Sequence, residues 1–352
     1  MFNFKDFFFS LLSRVNTPKE EEEEELLILK NSSSSPEPGL IIQTYDERGS
    51  LIYFIHMKEG IIKAQLLIQE KYRNRILDCT NGLTLVEWKL FGYGCTGCTE
   101  LRVLNPVTKQ YLQLPRPQPC PSSNSRAHYG FAFVSSISKF KVVCIVICLD
   151  PKSKDHWRAE CLILTLDCLN PKWRVIQDPP RLLNCVYRRP ITTNGYMYWS
   201  LRHPDNLVLS VDLIEEKFSE VRLPSRLPHS IGSLVEIEGH LCNIVRQRKG
   251  IVDIWILNKD VDGGGQWVKQ HSINVCHSLR GTTWFYPRIL SFRKEEITML
   301  DYGHRMLYVF DVKLNKLKKQ TRINIEGFIE FCSSHVNSYL RAQLWMAADQ
   351  IL

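Results

Sequence analysis

A short apolar run that ends in Asp or Asn recurs along this chain and constrains its fold more than any other feature. Consecutive terminal residues, which we call the anchors, lie 45 to 62 residues apart. A period of roughly 40 to 50 residues built from short strands is typical of β-propeller blades. The six anchors are Asp46, Asn105, Asp167, Asp212, Asn258 and Asp311.

A bulky side chain follows most anchors after six residues, and we call these side chains the followers. Trp267 comes nine residues after its anchor, and the extra residues fall in Asp262–Gly265, where a hairpin loop can lengthen without changing its strands. We expect a strand to stop at each anchor, and the follower to point back into the sheet or toward the next blade. The followers at the six-residue spacing are Ile52, Tyr111, Trp173, Phe218 and Leu317.

The repeat predicts an all-β fold, a kelch-like β-propeller with about six or more blades of short antiparallel strands. The chain has 352 residues, 44% of them hydrophobic and 11% aromatic, which is ample for the core of one such domain. Its longest apolar stretch, Val142–Leu149, is too short to cross a bilayer, and Met1–Leu12 lacks the features of a signal peptide. We therefore expect no membrane partner and a cytoplasmic or nuclear location.

The 12 cysteines are not at the spacings of a disulfide framework, so we expect them to be reduced. Cys95 and Cys98 have the spacing of a zinc knuckle but lack a second Cys/His pair at a matching distance. A turn with two incidental thiols is the interpretation we favour, and the sequence predicts no metal site.

The net charge of +8 comes from scattered basic residues rather than from one basic stripe. The densest groups are Tyr187–Arg189, Arg246–Lys249 and Lys316–Lys319. Each is interpreted as the solvated tip or edge of a hairpin, where Lys discourages edge pairing. A nucleic-acid partner is therefore not expected.

Composition divides the chain into three parts. Residues 1–39 combine an apolar stretch, the acidic run Glu20–Glu25 and a Ser/Pro-rich linker, Asn31–Gly39. Residues 40–335 alternate apolar strands with turns, and residues 336–352 form a short helix or a frayed tail. Tight turns with Gly at positive φ are predicted at Asn81-Gly82, Asn194-Gly195 and Glu238-Gly239.

A set of short motifs follows the same order as in the F-box associated domain of plant F-box proteins, and the chain resembles that family over about 290 residues. The motif segments are Cys79–Leu83, Leu104–Thr108 with Leu114-Pro115, Tyr129–Phe131, Phe140–Val143, Trp173-Arg174, Asn194–Trp199, Asp212–Phe218 with Leu223-Pro224, and Asp253–Leu257.

The resemblance implies a β-propeller that holds a target protein while a separate helical F-box binds the adaptor of an SCF-type ubiquitin ligase. Only Met1–Val15 could belong to an F-box, so residues 1–39 are interpreted as a truncated F-box remnant and linker. Docking to the SCF adaptor is expected only if a complete F-box exists. The alternatives are a truncated gene model, a degenerate copy and a true F-box-less protein.

Motifs that would indicate catalysis do not occur: the chain has no Gly-x-Ser-x-Gly elbow, His-Glu-x-x-His pair, phosphate loop or dinucleotide fingerprint. His203 near Asp205 and His156 beside Asp155 are interpreted as chance neighbours in polar loops. We expect no catalytic residue, no cofactor and no enzymatic activity. The alternative is a kelch-type propeller enzyme or glycan-binding protein that uses the mouth of the channel.

Loops at the ends of a propeller channel usually bind the partner. Aromatic side chains in such loops are common contact residues of protein interfaces, although they could instead fill gaps between blades. The predicted loops are Gly92–Thr99, Asp150–Ala159, Arg202–Asn206, Asn258–Gln266 and Cys276–Tyr286. The predicted partner-binding residues are Trp157, His203, Trp284, Phe285 and Tyr286.

Overall fold

A computed structural model contains 24 strands in six four-stranded sheets, with one short 3₁₀ turn at Ser135–Ile137 among the described residues. The N-terminal segment up to residue 37 and the tail from residue 337 lie outside them. The structure describes residues 38–58, 61–71, 74–89, 99–106, 109, 111–118, 126–149, 157–166, 171–176, 189–201, 207–224, 233–247, 251–259, 265–274, 288–293 and 295–336.

Each sheet is one antiparallel blade, in which the four strands follow one another from the channel to the perimeter. Blade 1 consists of β24 (Phe328–Val336), β1 (Pro38–Asp46), β2 (Gly49–Lys58) and β3 (Ile61–Glu70); blade 2 of β4 (Arg75–Thr80), β5 (Leu83–Lys89), β6 (Thr99–Leu104) and β7 (Tyr111–Leu114). Blade 3 consists of β8 (Arg126–Val134), β9 (Lys139–Leu149), β10 (Trp157–Leu166) and β11 (Arg174–Val175); blade 4 of β12 (Ile191–Thr193), β13 (Tyr196–Ser200), β14 (Leu207–Asp212) and β15 (Phe218–Arg222). Blade 5 consists of β16 (Ser233–Ile237), β17 (His240–Arg246), β18 (Ile251–Lys259) and β19 (Gly265–Asn274); blade 6 of β20 (Arg288–Arg293), β21 (Glu296–Asp301), β22 (Met306–Asp311) and β23 (Lys316–Arg322).

The six innermost strands form a closed ring around a central channel. β4, β8, β12, β16, β20 and β24 contact one another in this order, and β24 contacts β4 again. Blade 1 takes strands from both ends of the domain, because β24 pairs with β1 from Pro38↔Val336 to Tyr45↔Phe328. Backbone hydrogen bonds between the first and last strands therefore close the ring, and the fold is a six-bladed β-propeller.

The two ends of the propeller differ in their connections. One end, which we call the turn face, has the turns between the first and second and between the third and fourth strands of a blade. The other, the loop face, has the links between blades and the turns between second and third strands. On the turn face, Asn81-Gly82, Asn194-Gly195 and Glu238-Gly239 have φ values between 47° and 82°, as hairpin turns of type I′ require. The predicted tight turns are confirmed.

Most of the anchors end the third strand of a blade, as the repeat predicted. Asp212 and Asp311 are the last residues of such strands, Asn258 is the second-last, and Asn105 comes directly after one. Asp167 lies outside the described residues. Asp46 is different, because it ends the second strand of blade 1 on the loop face. Its equivalence to the other anchors was wrong: the innermost strand of blade 1 comes from the far end of the chain, so the first segment enters the blade at its second strand.

Four of the followers, Trp173, Phe218, Trp267 and Leu317, pack toward the preceding blade, whereas the prediction was their own sheet or the next blade. Ile52 does lie against the next blade, in the cluster between blades 1 and 2, and the Tyr111 ring lies 4.4 Å from the guanidinium of Arg102 in its own sheet. The Trp173 indole Nε1 donates to the Pro115 carbonyl at 2.7 Å, and Trp267 Nε1 donates to the Arg222 carbonyl at 2.8 Å. Both acceptors lie at or just beyond the end of the preceding outer strand, β7 or β15. Each blade twists from its inner to its outer strand. The start of an outer strand therefore lies beside the end of the outer strand in the preceding blade.

Apolar clusters fill all six blade interfaces. Phe331 and Ile76 lie in the cluster between blades 1 and 2, Trp199 between blades 3 and 4, and Phe310 between blades 5 and 6. Phe131 lies in the cluster between blades 2 and 3. Every blade buries both faces of its sheet in this way, and this burial is the main contribution to stability.

Side chains also form polar contacts across the blade interfaces. Gln43 illustrates the type: its Nε2 donates to the Asn74 carbonyl at 2.7 Å, and the Ile76 N–H donates to its Oε1 at 2.8 Å. Further contacts are Phe131 N–H to Asp78 Oδ2 at 2.8 Å, Lys141 Nζ to the Leu213 carbonyl at 2.5 Å, Asn194 Nδ2 to the Gly239 carbonyl at 2.8 Å, Asn274 N–H to Asn315 Oδ1 at 3.1 Å, and Glu326 N–H to Tyr53 Oη at 3.3 Å.

Three of the sequence motifs meet at the interface between blades 3 and 4. Lys141 Nζ lies 2.8 Å from Glu216 Oε1, and Arg174 pairs with the same oxygen. The Lys141 side chain is 6% exposed and that of Glu216 13%. Burial would raise the pKa of Glu216, but hydrogen bonds from Arg174 and Lys141 outweigh it and leave the pKa below its ordinary value. The motifs therefore contribute a buried ion pair that joins two blades.

Gly130, from the Tyr-Gly-Phe motif, allows β8 to approach blade 4 closely. A Cβ at this position would lie 2.2 Å from Met197 Sδ and 2.6 Å from Pro190 Cγ. Since the proline ring is rigid and Met197 is fully buried, the space cannot be made cheaply.

We expect Glu216→Gln to lower the free energy of unfolding at pH 7 by about 3 kcal/mol, because the Lys141 ammonium stays buried without its carboxylate. The depressed pKa stabilises the fold above the unfolded value of 4.5, and this contribution is lost as pH falls below it. Denaturant titrations between pH 3 and 7 should therefore show a shallower loss in acid for the variant. The double variant Lys141→Met/Glu216→Gln should recover much of the stability at pH 7; no recovery would contradict the ion-pair assignment.

Gly130→Ala should destabilise the fold by about 1 to 3 kcal/mol through overpacking against Met197 and Pro190. Thermal and denaturant unfolding would measure the loss. In the double variant Gly130→Ala/Met197→Ala the new methyl group gains room, so the combined loss should be smaller than the sum of the single losses. Strict additivity would show that the two residues do not compete for space.

Candidate recognition face

The partner-binding residues predicted from the sequence are all attached to strand ends on the loop face. His203 lies between Leu201 and β14, and Trp284, Phe285 and Tyr286 lie between β19 and β20; these four are outside the described residues. The strand ends that flank them belong to the loop face. Four of the five predicted loops join such ends, whereas Asn258–Gln266 joins β18 to β19 on the turn face.

Trp157 was expected in a loop, and this expectation was wrong. It is the first residue of β10, where it pairs with Leu149, and Ala159 pairs with Ile147. The polar sequence before it gave no sign that the strand begins so early. Its backbone still lies at the loop-face end of blade 3.

Phe328 is an exposed aromatic residue that the sequence analysis missed. It is the first residue of β24, at the rim of the channel on the loop face, and 84% of its surface is exposed. Aromatic side chains are common central contacts of protein interfaces, so this exposed ring is a candidate contact residue. Its sequence context is a glycine followed by apolar residues, which predicts a strand start but not an exposed ring.

Hydrogen bonds and a close backbone approach hold the link that precedes Phe328 in place. Arg305 Nη1 donates to the Ile325 carbonyl at 2.5 Å, and the Glu326 N–H donates to Tyr53 Oη at 3.3 Å. Gly327 has a φ of +73°, and a Cβ there would lie 2.7 Å from the Tyr45 carbonyl oxygen. Only glycine fits this turn without strain, so the turn fixes the position at which β24 and Phe328 begin.

Charged side chains lie beside this aromatic residue. Arg48 Nη2 is 2.7 Å from Asp46 Oδ2, and Arg48 also pairs with Glu326 in the link. The hydrogen bond from Arg48 lowers the pKa of Asp46. Arg48 and Glu326 have side chains that are 58% and 65% exposed, so they remain available to a partner. An apolar centre with a polar rim is the usual composition of a protein interface.

Arg189 lies in the channel, which contradicts its interpretation as part of a solvated hairpin tip. Its guanidinium is 3.7 Å from the centroid of the Phe331 ring, and its Nη2 donates to the Ile76 carbonyl at 3.3 Å. Arg189 precedes blade 4, whereas these two contacts belong to blades 1 and 2. Because blades 1 and 4 are opposite each other in a ring of six, the arginine spans the channel near the loop face.

The basic group Lys316–Lys319 does lie where it was predicted, on the outermost strand of blade 6. Its side chains alternate between exposed and half-buried positions, and Lys318 pairs with Glu296. The group is therefore an edge strand that bears positive charge, as proteins use to discourage pairing with other chains.

Titratable groups on the loop face are engaged in local structure. Asp301 accepts hydrogen bonds from the backbone N–H groups of Gly303 and His304 at 2.9 and 3.1 Å, and His304 Nδ1 lies 2.9 Å from the other oxygen of Asp301.

Two cysteines lie within strands of the blades. Burial raises the pKa of Cys144 and Cys242 to about 12, so neither forms a thiolate at neutral pH. Within the described ranges, no group of three His, Cys, Asp or Glu residues could hold a metal ion, and no helix is long and apolar enough to cross a membrane. Cys95 and Cys98 fall outside these ranges.

The six four-stranded sheets and the closing strand pair define the class of the domain as a β-propeller. The sequence matches the F-box associated beta propeller domain over residues 5–343, and the chain belongs to that family.

The chain is also similar to proteins from Arabidopsis thaliana that are named F-box proteins. The chain is 25% identical to the F-box protein At3g07870 over 281 residues, which are 69% of this chain and 64% of the relative. It is 24% identical to the F-box/LRR-repeat protein At2g43260 over 190 residues, which are 52% of this chain and 44% of the relative. The chain thus spans less than two thirds of these curated relatives.

A solved structure supports the architecture alone. The crystal structure of a nidogen/laminin complex contains a chain that superposes with a TM-score of 0.50 at 13% sequence identity, covering 85% of this chain and 99% of that one. At this identity the likeness concerns the fold and says nothing about binding.

Proposed function

We propose that this propeller is a non-catalytic recognition domain that binds a target protein through its loop face, with Phe328 near the centre of the contact. The observation that carries the proposal is the exposed ring of Phe328 at the start of β24, after a link fixed by Arg305, Tyr53 and Gly327. A link that is already ordered loses little conformational entropy on binding, which favours affinity.

The positions of Pro38 and Val336, the first and last described residues, support this assignment of faces. Pro38, the first residue of β1, pairs with Val336, the last residue of β24, so both lie on the turn face. A module that precedes Pro38 is therefore joined to the propeller at the end opposite Phe328. An F-box attached there would leave the loop face open to a target.

The family and its relatives support the kind of partner. The chain belongs to the F-box associated family and is similar to proteins named F-box proteins, and in our proposal the target is a protein that such a domain presents for ubiquitin transfer. Docking to an SCF adaptor requires a complete F-box, and we propose it only for a form of the protein that has one. Trp157, His203, Trp284, Phe285 and Tyr286 remain proposed contact residues around Phe328.

Affinity capture from native tissue, followed by binding of the purified partner, tests the proposal. Phe328→Ala should weaken the affinity for the partner at least about tenfold, as is usual for a central aromatic contact. The melting temperature of the Phe328→Ala variant should equal that of the wild type, because the ring is exposed. A second variant, Trp284→Ala, tests the residues predicted from the sequence.

Leu314→Ala is the matched control, since Leu314 is 59% exposed and lies in the turn between β22 and β23 on the turn face. Its affinity for the partner should equal that of the wild type. Equal losses in Phe328→Ala and Leu314→Ala, or no loss in the former, would contradict a loop-face site. Specific binding on a glycan array without a protein partner would favour the glycan-binding alternative.

A further inference from the structure

β3 is the outermost strand of blade 1, and its outer edge pairs with no other described strand. It spans Ile61–Glu70, and β2 is its only partner among the described strands. The N–H and C=O groups of an outer strand that point away from its sheet can pair with another chain. Leu66, in the middle of the strand, is 46% exposed.

The other outer strands are shorter or better protected. β7, β11 and β15 have two to five residues, and β23 carries four Lys or Arg residues in seven. β19 has ten residues like β3, but only three of them are apolar, whereas six of ten are apolar in β3. Edge pairing with another strand is therefore most favourable at β3.

The sequence of β3 is complementary to itself in one antiparallel register. When Lys63 is placed opposite Glu70 of a second copy, Ala64 faces Gln69, Gln65 faces Ile68, and Leu66 faces Leu67. The two-fold axis then passes between Leu66 and Leu67. Each copy contributes one lysine and one glutamate, so two ion pairs flank an apolar centre.

A β-bulge makes this register possible. Lys63 and Glu70 are seven residues apart and would point to opposite faces of a regular strand. The pairing with β2 shifts between Leu66 and Ile68, so that Lys63 lies opposite His56 and Glu70 opposite Ser50. His56 and Ser50 share one face of β2, and the bulge at Leu67 therefore places Lys63 and Glu70 on the same face as well.

The two charges are also suitably placed. Lys63 is exposed, and neither residue belongs to an ion pair with another described residue. Glu70 is half-buried, where burial raises its pKa and the positive charge of Arg102 opposes the shift. A lysine from a second copy would add a direct partner to this carboxylate.

We propose that two copies of this chain associate through their β3 strands, paired antiparallel with Lys63 of each copy opposite Glu70 of the other. The two blades then form one continuous sheet across the two-fold axis. Because β3 lies on the perimeter of the propeller, the loop face and the turn face both stay open. The inference is independent of the proposed target binding.

Sedimentation equilibrium of the full chain over a range of protein and salt concentrations is the test. We expect a monomer–dimer equilibrium whose dissociation constant rises with salt. Lys63→Glu and Glu70→Lys should each raise the dissociation constant at least about tenfold, since each places like charges opposite one another. The double variant Lys63→Glu/Glu70→Lys restores opposite charges and should return the dissociation constant to near the wild-type value.

Lys316→Glu, the same charge reversal on the outer strand of blade 6, is the control and should leave the dimer unchanged. Thermal unfolding of every variant shows whether it is folded. If Glu70→Lys proves unstable, Lys63→Glu still provides the test, because Lys63 is exposed. A chain that is monomeric at every concentration overturns the proposal. So does a dimer that the single reversals leave intact, that Lys316→Glu also disrupts, or that the double variant fails to restore.

Discussion

The pairing of β24 with β1 is the interaction on which the rest of the structure depends. Every blade of this propeller buries both faces of its sheet against neighbours, so a row of blades with two free ends would expose apolar surface at each end. The register from Pro38↔Val336 to Tyr45↔Phe328 removes both ends at once. Since the two strands come from opposite ends of the domain, this closure requires a contact between residues about 290 positions apart, which is costly in chain entropy and slow to form. Loss of either strand would therefore weaken two interfaces, the one with blade 2 and the one with blade 6.

Polar contacts between blades explain much of the motif pattern that marks this family. The apolar clusters provide most of the free energy, but they are not directional and would allow a blade to slide against its neighbour. Hydrogen bonds such as those from Trp173 to Pro115 and from Asn194 to Gly239 fix the position of one blade relative to the next. Lys141 and Glu216 do the same while buried, where a shifted blade would leave each charge unpaired. Residues that appear scattered along the chain thus share one role in the fold.

The sequence predicted the features that depend on local chemistry. The Asn-Gly and Glu-Gly turns, the strand ends at Asn105 and Asp311, and the edge strand with Lys316–Lys319 follow from turn preferences and charge, and the structure confirms them. Features that depend on the arrangement of blades were not predictable in this way. Asp46 fits the anchor pattern but lies in a blade built from both chain ends, Arg189 reaches across the channel, and the exposure of Phe328 depends on where the chain re-enters blade 1. The repeat pattern predicts the strands of each blade, but it does not predict which residues of different blades come into contact.

The difference between the two faces gives the domain a way to change its binding surface without changing its fold. On the turn face, hydrogen bonds join the turns between first and second strands of neighbouring blades, as from Thr193 and Asn194 to Gly239, so a longer turn of this kind would disturb an interface. On the loop face, connections begin and end at strand termini that are already fixed by the sheets, and their length can vary at little cost in stability. Phe328 is the first residue of the closing strand, so its backbone position is fixed, and it lies exposed on the face whose connections can vary in length. A recognition surface built around it would be rigid at its centre and adaptable at its margins.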